Sequence, residues 1–176
     1  MRLGTAALLI GLAMGGPAVP AELETVPDVV LSRYMGTWHE QANFPMYFQR
    51  KCARNTKATY SLMASGRVAV RNECETRDGQ NIVASGVARR LGNSRSKLEV
   101  RFAPSVLSFL PFVWGDYWII ALDADYQWSI VATPNRKYLW ILTRDKNVSP
   151  ETYQRLVGIA GSKGFDTGKL IRTEQR

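Results

Sequence analysis

The chain predicts an all-β domain of barrel or sandwich type with one α-helix near its C-terminal end. Short runs rich in β-branched and aromatic residues recur along the chain with turn chemistry between them. One segment, after Ser149, instead carries the cap and the three-and-four spacing of an amphipathic helix. Length and composition set one domain, since 176 residues with 45% apolar and 22% charged residues are ordinary globular values.

Residues 1–21 differ from the rest. Arg2 is a minimal basic start, Leu3 to Met14 is apolar, and Gly15 to Ala21 is small and breaker-rich. This is the pattern of a secretory signal peptide, with Val19 and Ala21 at the small positions before a cleavage ahead of Glu22. The apolar stretch is shorter than the roughly 20 residues that a membrane span needs. Residues 22–176 are therefore expected to be exported as one domain, with a barrel over about 34–144, a helix over about 150–163 and a last strand over about 169–174.

Eight strands are expected near Gly36 to Phe44, Asn55 to Met63, Arg67 to Glu75, Asn81 to Leu91, Lys97 to Phe102, Asp116 to Asp123, Trp128 to Thr133 and Tyr138 to Arg144. Ser65-Gly66, Asp78-Gly79, Gly92-Asn93 and Pro134-Asn135 punctuate them as turns. Ser149 as N-cap, Pro150 in the first helical position and Glu151 in the first turn start the helix, whose apolar stripe is Tyr153, Leu156, Val157 and Ala160. Gly161 or Gly164 ends it, and Phe165 anchors the return to a short strand around Leu170 to Thr173.

In an exported chain, Cys52 and Cys74 are expected to form a disulfide. The two cysteines lie near the same end of the second hairpin. If Met63 faces Arg67, Cys52 opposes a position near 78, so the sulfurs meet only with a bulge or loop before the second strand. The spacing and the lack of further ligands argue against a redox or zinc site.

Period-two alternation sorts the inward candidates. If Trp38 points in, so do Ala42 and Phe44; strand three offers Val68 and Val70, and strand five Leu98, Val100 and Phe102. Ala84, Gly86 and Ala88 share a face of strand four and leave volume unfilled if that face is inward. Tyr117, Ile119 and Ala121 share a face of strand six, as do Tyr138, Trp140 and Leu142 of strand eight. Alternation leaves open whether these residues close a packed core or line a cavity with apolar walls and a few phenol and indole donors.

Several blocks, in order, carry a resemblance to a known family. YMGTWHE holds Gly36 and Trp38; GDYWIIALD holds Asp116 and Tyr117; LWILTR ends on Arg144; KATYSL and GFDTGKLI lie between and after them. From about Tyr34 to Ile171 the chain resembles the lipocalins, in their bacterial and apolipoprotein D-like branch. The resemblance implies an eight-stranded up-and-down antiparallel β-barrel with the helix packed outside, and an interior that carries a small hydrophobic molecule. It makes Gly36, Trp38, Asp116 and Arg144 structural, with Trp38 and Arg144 packed together at the closed end. The loops after strands one, three, five and seven then form the open end.

The loop after strand five, Ala103 to Gly115, is the most apolar of these, with Leu107, Phe109, Leu110, Phe112 and Trp114. Such a loop at a barrel mouth covers the ligand, touches a membrane, meets a second copy, or folds inward. Arg101, Arg50 and Lys51 near the mouth are cations that meet a ligand headgroup or are solvated at the surface. No cysteine precedes Cys52, so the lipid-modified N-terminal cysteine of many bacterial relatives is not expected, and the predicted location is periplasmic or secreted, with outer-membrane association at most transient.

Catalysis is not expected. His39 is the only histidine, which excludes a cluster of imidazoles, and neither a G-x-S-x-G elbow nor a phosphate-binding glycine loop is present. Alternation turns His39 away from Trp38, so a central haem is out of its reach, and no cofactor or metal is expected. Removing residues 1–21 takes away one charged group, Arg2, and lowers the formal charge from +8 to +7. The cations are scattered and no nucleic-acid motif accompanies them. The expected partner is a fatty acid or lysophospholipid, with monomer and homodimer both open. The competing reading is a filled barrel that binds or inhibits a protein through its open-end loops.

Overall fold

The computed structural model describes residues 22–107, 110 and 113–176. The expected leader, Phe109 and Phe112 lie outside the described residues. Eight antiparallel strands follow one another: β1 (Gly36–Asn43), β2 (Arg54–Leu62), β3 (Val68–Glu75), β4 (Asn81–Arg90), β5 (Lys97–Arg101), β6 (Gly115–Leu122), β7 (Trp128–Ala132) and β8 (Leu139–Thr143). Each pairs with the next, and β1 pairs with both β8 and β2, so the sheet closes into an up-and-down barrel and leaves no edge among the eight.

β1 changes partners along its length. Gly36 to His39 pair with β2, while Ala42 and Asn43 pair with a ninth strand, β9 (Ile171–Arg172). This is the short C-terminal strand expected from the sequence, and it takes over the backbone groups of β1 where β2 has left it.

A short helix, α1 (Leu31–Tyr34), was not expected from the sequence. It carries Tyr34 under the barrel, where the Tyr34 ring lies 4.8 Å from that of Trp38 and the Tyr34 carbonyl accepts a 2.8 Å hydrogen bond from Trp38 Nε1. Arg144 closes the same end. Its guanidinium carbon stands 3.9 Å from the Trp38 ring centroid, and it donates to the carbonyls of Thr37, Arg33 and Tyr126. Gly36 fits between them for two reasons: its φ is +95°, and an added Cβ would lie 3.2 Å from Arg144 Nη1.

The second helix, α2 (Pro150–Ser162), begins as its sequence indicates, with Ser149 Oγ accepting from the Thr152 backbone N–H. Tyr153, Leu156 and Ala160 are buried against the outside of the barrel. Gly164, at φ +82°, ends the helical run rather than Gly161.

Two bulges decide which way side chains point. Between Glu40 and Ala42 the register of β1 against β8 slips by one, so Glu40 opposes the inward Leu142 whereas Ala42 opposes the outward Ile141. Ala42 and Phe44 therefore do not face the interior as strict alternation predicts. Ala42 packs with Tyr153 and Leu156, and Phe44 meets Phe165 edge-on at 6.0 Å. The same slip between Ile119 and Ala121 in β6 leaves Ile119 inside and turns Ala121 out to the layer beneath α2.

Cys52 and Cys74 form a disulfide with a Cα–Cα distance of 5.5 Å. A bulge between Arg54 and Lys57, where Asn55 adopts φ +52°, and the departure of the chain from the sheet before Arg54 bring the two cysteines level.

Candidate functional site

The barrel encloses a cavity of about 740 Å³ that opens at the end opposite Trp38 and Arg144. This volume lies within the roughly 300–1,000 Å³ of small-molecule sites. Of the candidates from the sequence, Val68, Val70, Leu98, Val100, Phe102, Tyr117, Tyr138 and Trp140 line it. Ile119 is fully buried in the apolar cluster below the cavity, with Trp38, Tyr34 and Val131. Ala42 and Phe44 are turned away from it by the β1 bulge.

Small residues make the room. β3 and β4 pair Val68 with Ala88, Val70 with Gly86 and Asn72 with Ala84, so the small face of β4 is the inward one. Gly86 also admits a neighbour: a Cβ there would lie 2.6 Å from the Arg101 carbonyl oxygen and 2.8 Å from Phe102 Cδ1, so the Phe102 ring can cross the backbone only at a glycine.

The mouth is aromatic. Phe48 meets Tyr138 edge-on at 5.4 Å and Tyr138 lies 6.1 Å from Trp140. Phe48 sits in a short 3₁₀ turn (Tyr47–Gln49) and lines the cavity although 65% exposed. It was missed in the sequence because the segment after β1 has no periodicity. Val113 and Trp114 close the other side, with the Arg89 guanidinium 4.0 Å above the Trp114 ring. Leu107 is exposed and Leu110 is half-buried.

Arg101 is neither a headgroup cation nor a solvated charge. It faces away from the cavity, is buried, and donates to the carbonyls of Ala103 and Pro104, which holds the start of the apolar loop. Arg50 and Lys51 remain exposed at the rim. Asp116 is placed opposite Glu99, whose carboxylate binds Arg89 at 2.5 Å, so it stands beside a cross-strand ion pair at the cavity edge.

Polar groups are few and specific. Tyr34, Tyr60 and Tyr117 all line the lower cavity and their hydroxyls join: Tyr60 to Tyr117 at 2.9 Å, Tyr117 to Tyr34 at 3.0 Å, and Tyr34 to Ser129 at 3.0 Å. Burial pushes the Tyr34 phenol up to about 12 and raises Tyr60 and Tyr117 as well, so all three stay protonated donors at any ordinary pH. Tyr60 could have been found in the sequence, because pairing β2 to the inward Trp38 puts Ala58 and Tyr60 on the same inner face.

Glu40 is a further missed residue. Its carboxyl is buried in the wall, accepts 2.9 and 2.7 Å hydrogen bonds from Gln49 Nε2 and a 2.5 Å bond from Thr173, and burial raises its pKa. His39 points out of the barrel beside Lys57, and burial followed by that charge lowers its pKa. Among the described residues no group of three or more histidine, cysteine, aspartate or glutamate side chains is placed to hold a metal.

Residues 29–175 match the family model of the lipocalin-like domain. The chain is a lipocalin. It is 39% identical over 156 residues to temperature-induced lipocalin-1 of Arabidopsis thaliana, covering 88% of this chain and 83% of that protein. It is 38% identical over 173 residues to outer membrane lipoprotein Blc of Escherichia coli K12, covering 97% and 93%, and 30% identical over 153 residues to apolipoprotein D of Mus musculus, covering 82% and 76%. Among solved structures, insecticyanin from the tobacco hornworm Manduca sexta has the same fold, with a TM-score of 0.67 at 20% identity over 88% of this chain and 85% of that one. Lipocalins are in general carriers of small hydrophobic ligands, and the motif glycine, tryptophan and arginine of this lipocalin sit together at its closed end.

Proposed function

We propose that this lipocalin carries one molecule with a long apolar chain, a fatty acid or a lysophospholipid, inside the barrel. The cavity of about 740 Å³ with Val68, Val70, Leu98, Val100, Phe102 and Trp140 on its walls carries the reading. Each methylene taken from water into these walls contributes about 0.8 kcal/mol, offset by the cost of ordering the ligand, which is compatible with micromolar affinity and modest chemical selectivity. A cavity of this volume also weighs against the filled barrel of the competing reading.

The rim supports a brief contact with lipid. Tyr47, Phe48 and Val106 are 73%, 65% and 73% exposed beside Arg50 and Lys51, a combination of apolar and basic groups suited to an anionic membrane surface. With residues 1–21 acting as an export signal, the protein works in the periplasm or outside the cell.

Displacement of a fluorescent fatty acid tests the carrier role. Trp140→Ala and Val100→Asp are both expected to weaken binding at least about tenfold, through lost apolar contact and a charge placed in the wall, while the circular dichroism of the barrel is retained. Unchanged affinity in both folded variants rejects this cavity as the site.

A further inference from the structure

We infer that the floor of the cavity is a subsite for a carbonyl oxygen, so that a fatty acid enters head-first and leaves its tail towards the mouth. The inference rests on the carrier reading above and narrows it to single-chain carbonyl ligands. It follows from counting protons in the hydroxyl chain Ser129, Tyr34, Tyr117, Tyr60. Four hydroxyls bring one proton each, and the three hydrogen bonds between them use three. One O–H is left without an acceptor inside the chain.

Burial decides where it lies. Ser129 is fully buried at 0% exposure and, among the described residues, Tyr34 is its one side-chain hydrogen-bond partner. A spare proton there would point into the apolar wall, the costliest place for an unmade hydrogen bond. Excluding Ser129 leaves the spare proton on one of the three phenols, all of which line the cavity. Head-to-tail order, in which each donor is itself an acceptor, is the cooperative arrangement, and it runs from Ser129 through Tyr34 and Tyr117 to Tyr60, whose O–H is then released into the cavity. Each donation along the series strengthens the next, which makes the terminal phenol a better donor than an isolated tyrosine.

The electrostatics of the floor favour an acceptor. Directly beneath, the Arg144 guanidinium donates to three backbone carbonyls and, among the described residues, forms no ion pair with a carboxylate. Its charge acts on the Tyr34 phenol, and of the influences on Tyr60 the charge of Glu40 in the wall is the weakest. A hydrocarbon end at this position leaves the Tyr60 proton unmatched, whereas a carbonyl oxygen completes it. A lysophospholipid cannot use the subsite, because its ester carbonyl lies next to a large charged headgroup that the closed floor of Tyr34 and Trp38 does not admit.

The test compares oleic acid, methyl oleate and cis-heptadecene, the same chain without the carboxyl group, by quenching of tryptophan fluorescence. The protein is expected to prefer the two carbonyl ligands, and the ratio of oleic acid to heptadecene affinity to fall about tenfold in Tyr60→Phe/Tyr117→Phe, the equivalent of one ordinary hydrogen bond. Trp140→Ala at the mouth is expected to weaken all ligands and keep that ratio. The infrared band of ¹³C-carbonyl methyl oleate bound to the unaltered protein supplies a readout that needs no variant, with a hydrogen-bonded carbonyl shielded from exchangeable solvent as the expected result. A solvent-exposed carbonyl band, or the same ratio in the tyrosine variant, places the head at the mouth and overturns the inference while leaving the carrier role intact. Failure of all three ligands to bind overturns both.

Discussion

The Arg144 guanidinium lies over the Trp38 ring beneath the barrel, guanidinium carbon to ring centroid 3.9 Å, and it ties together three segments by donating to the carbonyls of Arg33, Thr37 and Tyr126. The contact is thus a clasp between α1, β1 and the β6–β7 turn. Arg144→Ala removes the cation over the indole and leaves three carbonyls to water, and is expected to lower stability by about 2–4 kcal/mol. Arg144→Lys recovers only a minor part, since an ammonium cannot reach three acceptors with a planar fork. Urea unfolding monitored by tryptophan fluorescence measures both. A loss below about 1 kcal/mol in the alanine variant contradicts the clasp.

The disulfide fixes the loop that carries Phe48 and Gln49 to β3 at the barrel mouth. Cys52 and Cys74 are 22 residues apart and both line the cavity. Cys52→Ser/Cys74→Ser is expected to cost about 3 kcal/mol on the chain-entropy account, and to weaken ligand binding by loosening Phe48. Thermal unfolding in the presence and absence of reductant checks the first part. Equal stability of the oxidised and reduced protein would be the contrary result.

Glu40 predicts a pH dependence of stability. Burial holds its carboxyl above the ordinary value of 4.5, and the hydrogen bonds from Thr173 and Gln49 only partly offset this. With the folded-state pKa raised, the folded protein holds this proton more tightly than the unfolded chain does. The contribution is complete below about 4.5 and is lost as pH rises through the folded value. Glu40→Gln, uncharged throughout, is therefore expected to gain on the unaltered protein as pH rises above the ordinary carboxyl value of 4.5 in denaturant titrations. A difference between the two proteins that does not change with pH would refute it.

The sequence by itself determined the eight strands, the capped helix and the family, because each depends on local chemistry: alternation along a strand, a Ser-Pro-Glu start, and a glycine, tryptophan and arginine in ordered blocks. It also pointed to part of the cavity wall, since Val68, Val70, Leu98 and Val100 lie on strands without a bulge at those positions. Tertiary structure decided the rest. Whether Ala42 and Phe44 face a ligand or α2 depends on one extra residue in β1, and a register slip is a property of two paired strands rather than of either alone. The hydroxyl chain likewise needs α1, β2, β6 and β7 brought to one point by closure of the barrel. Periodicity assigns a side chain to a face, but only closure sets the distance between faces.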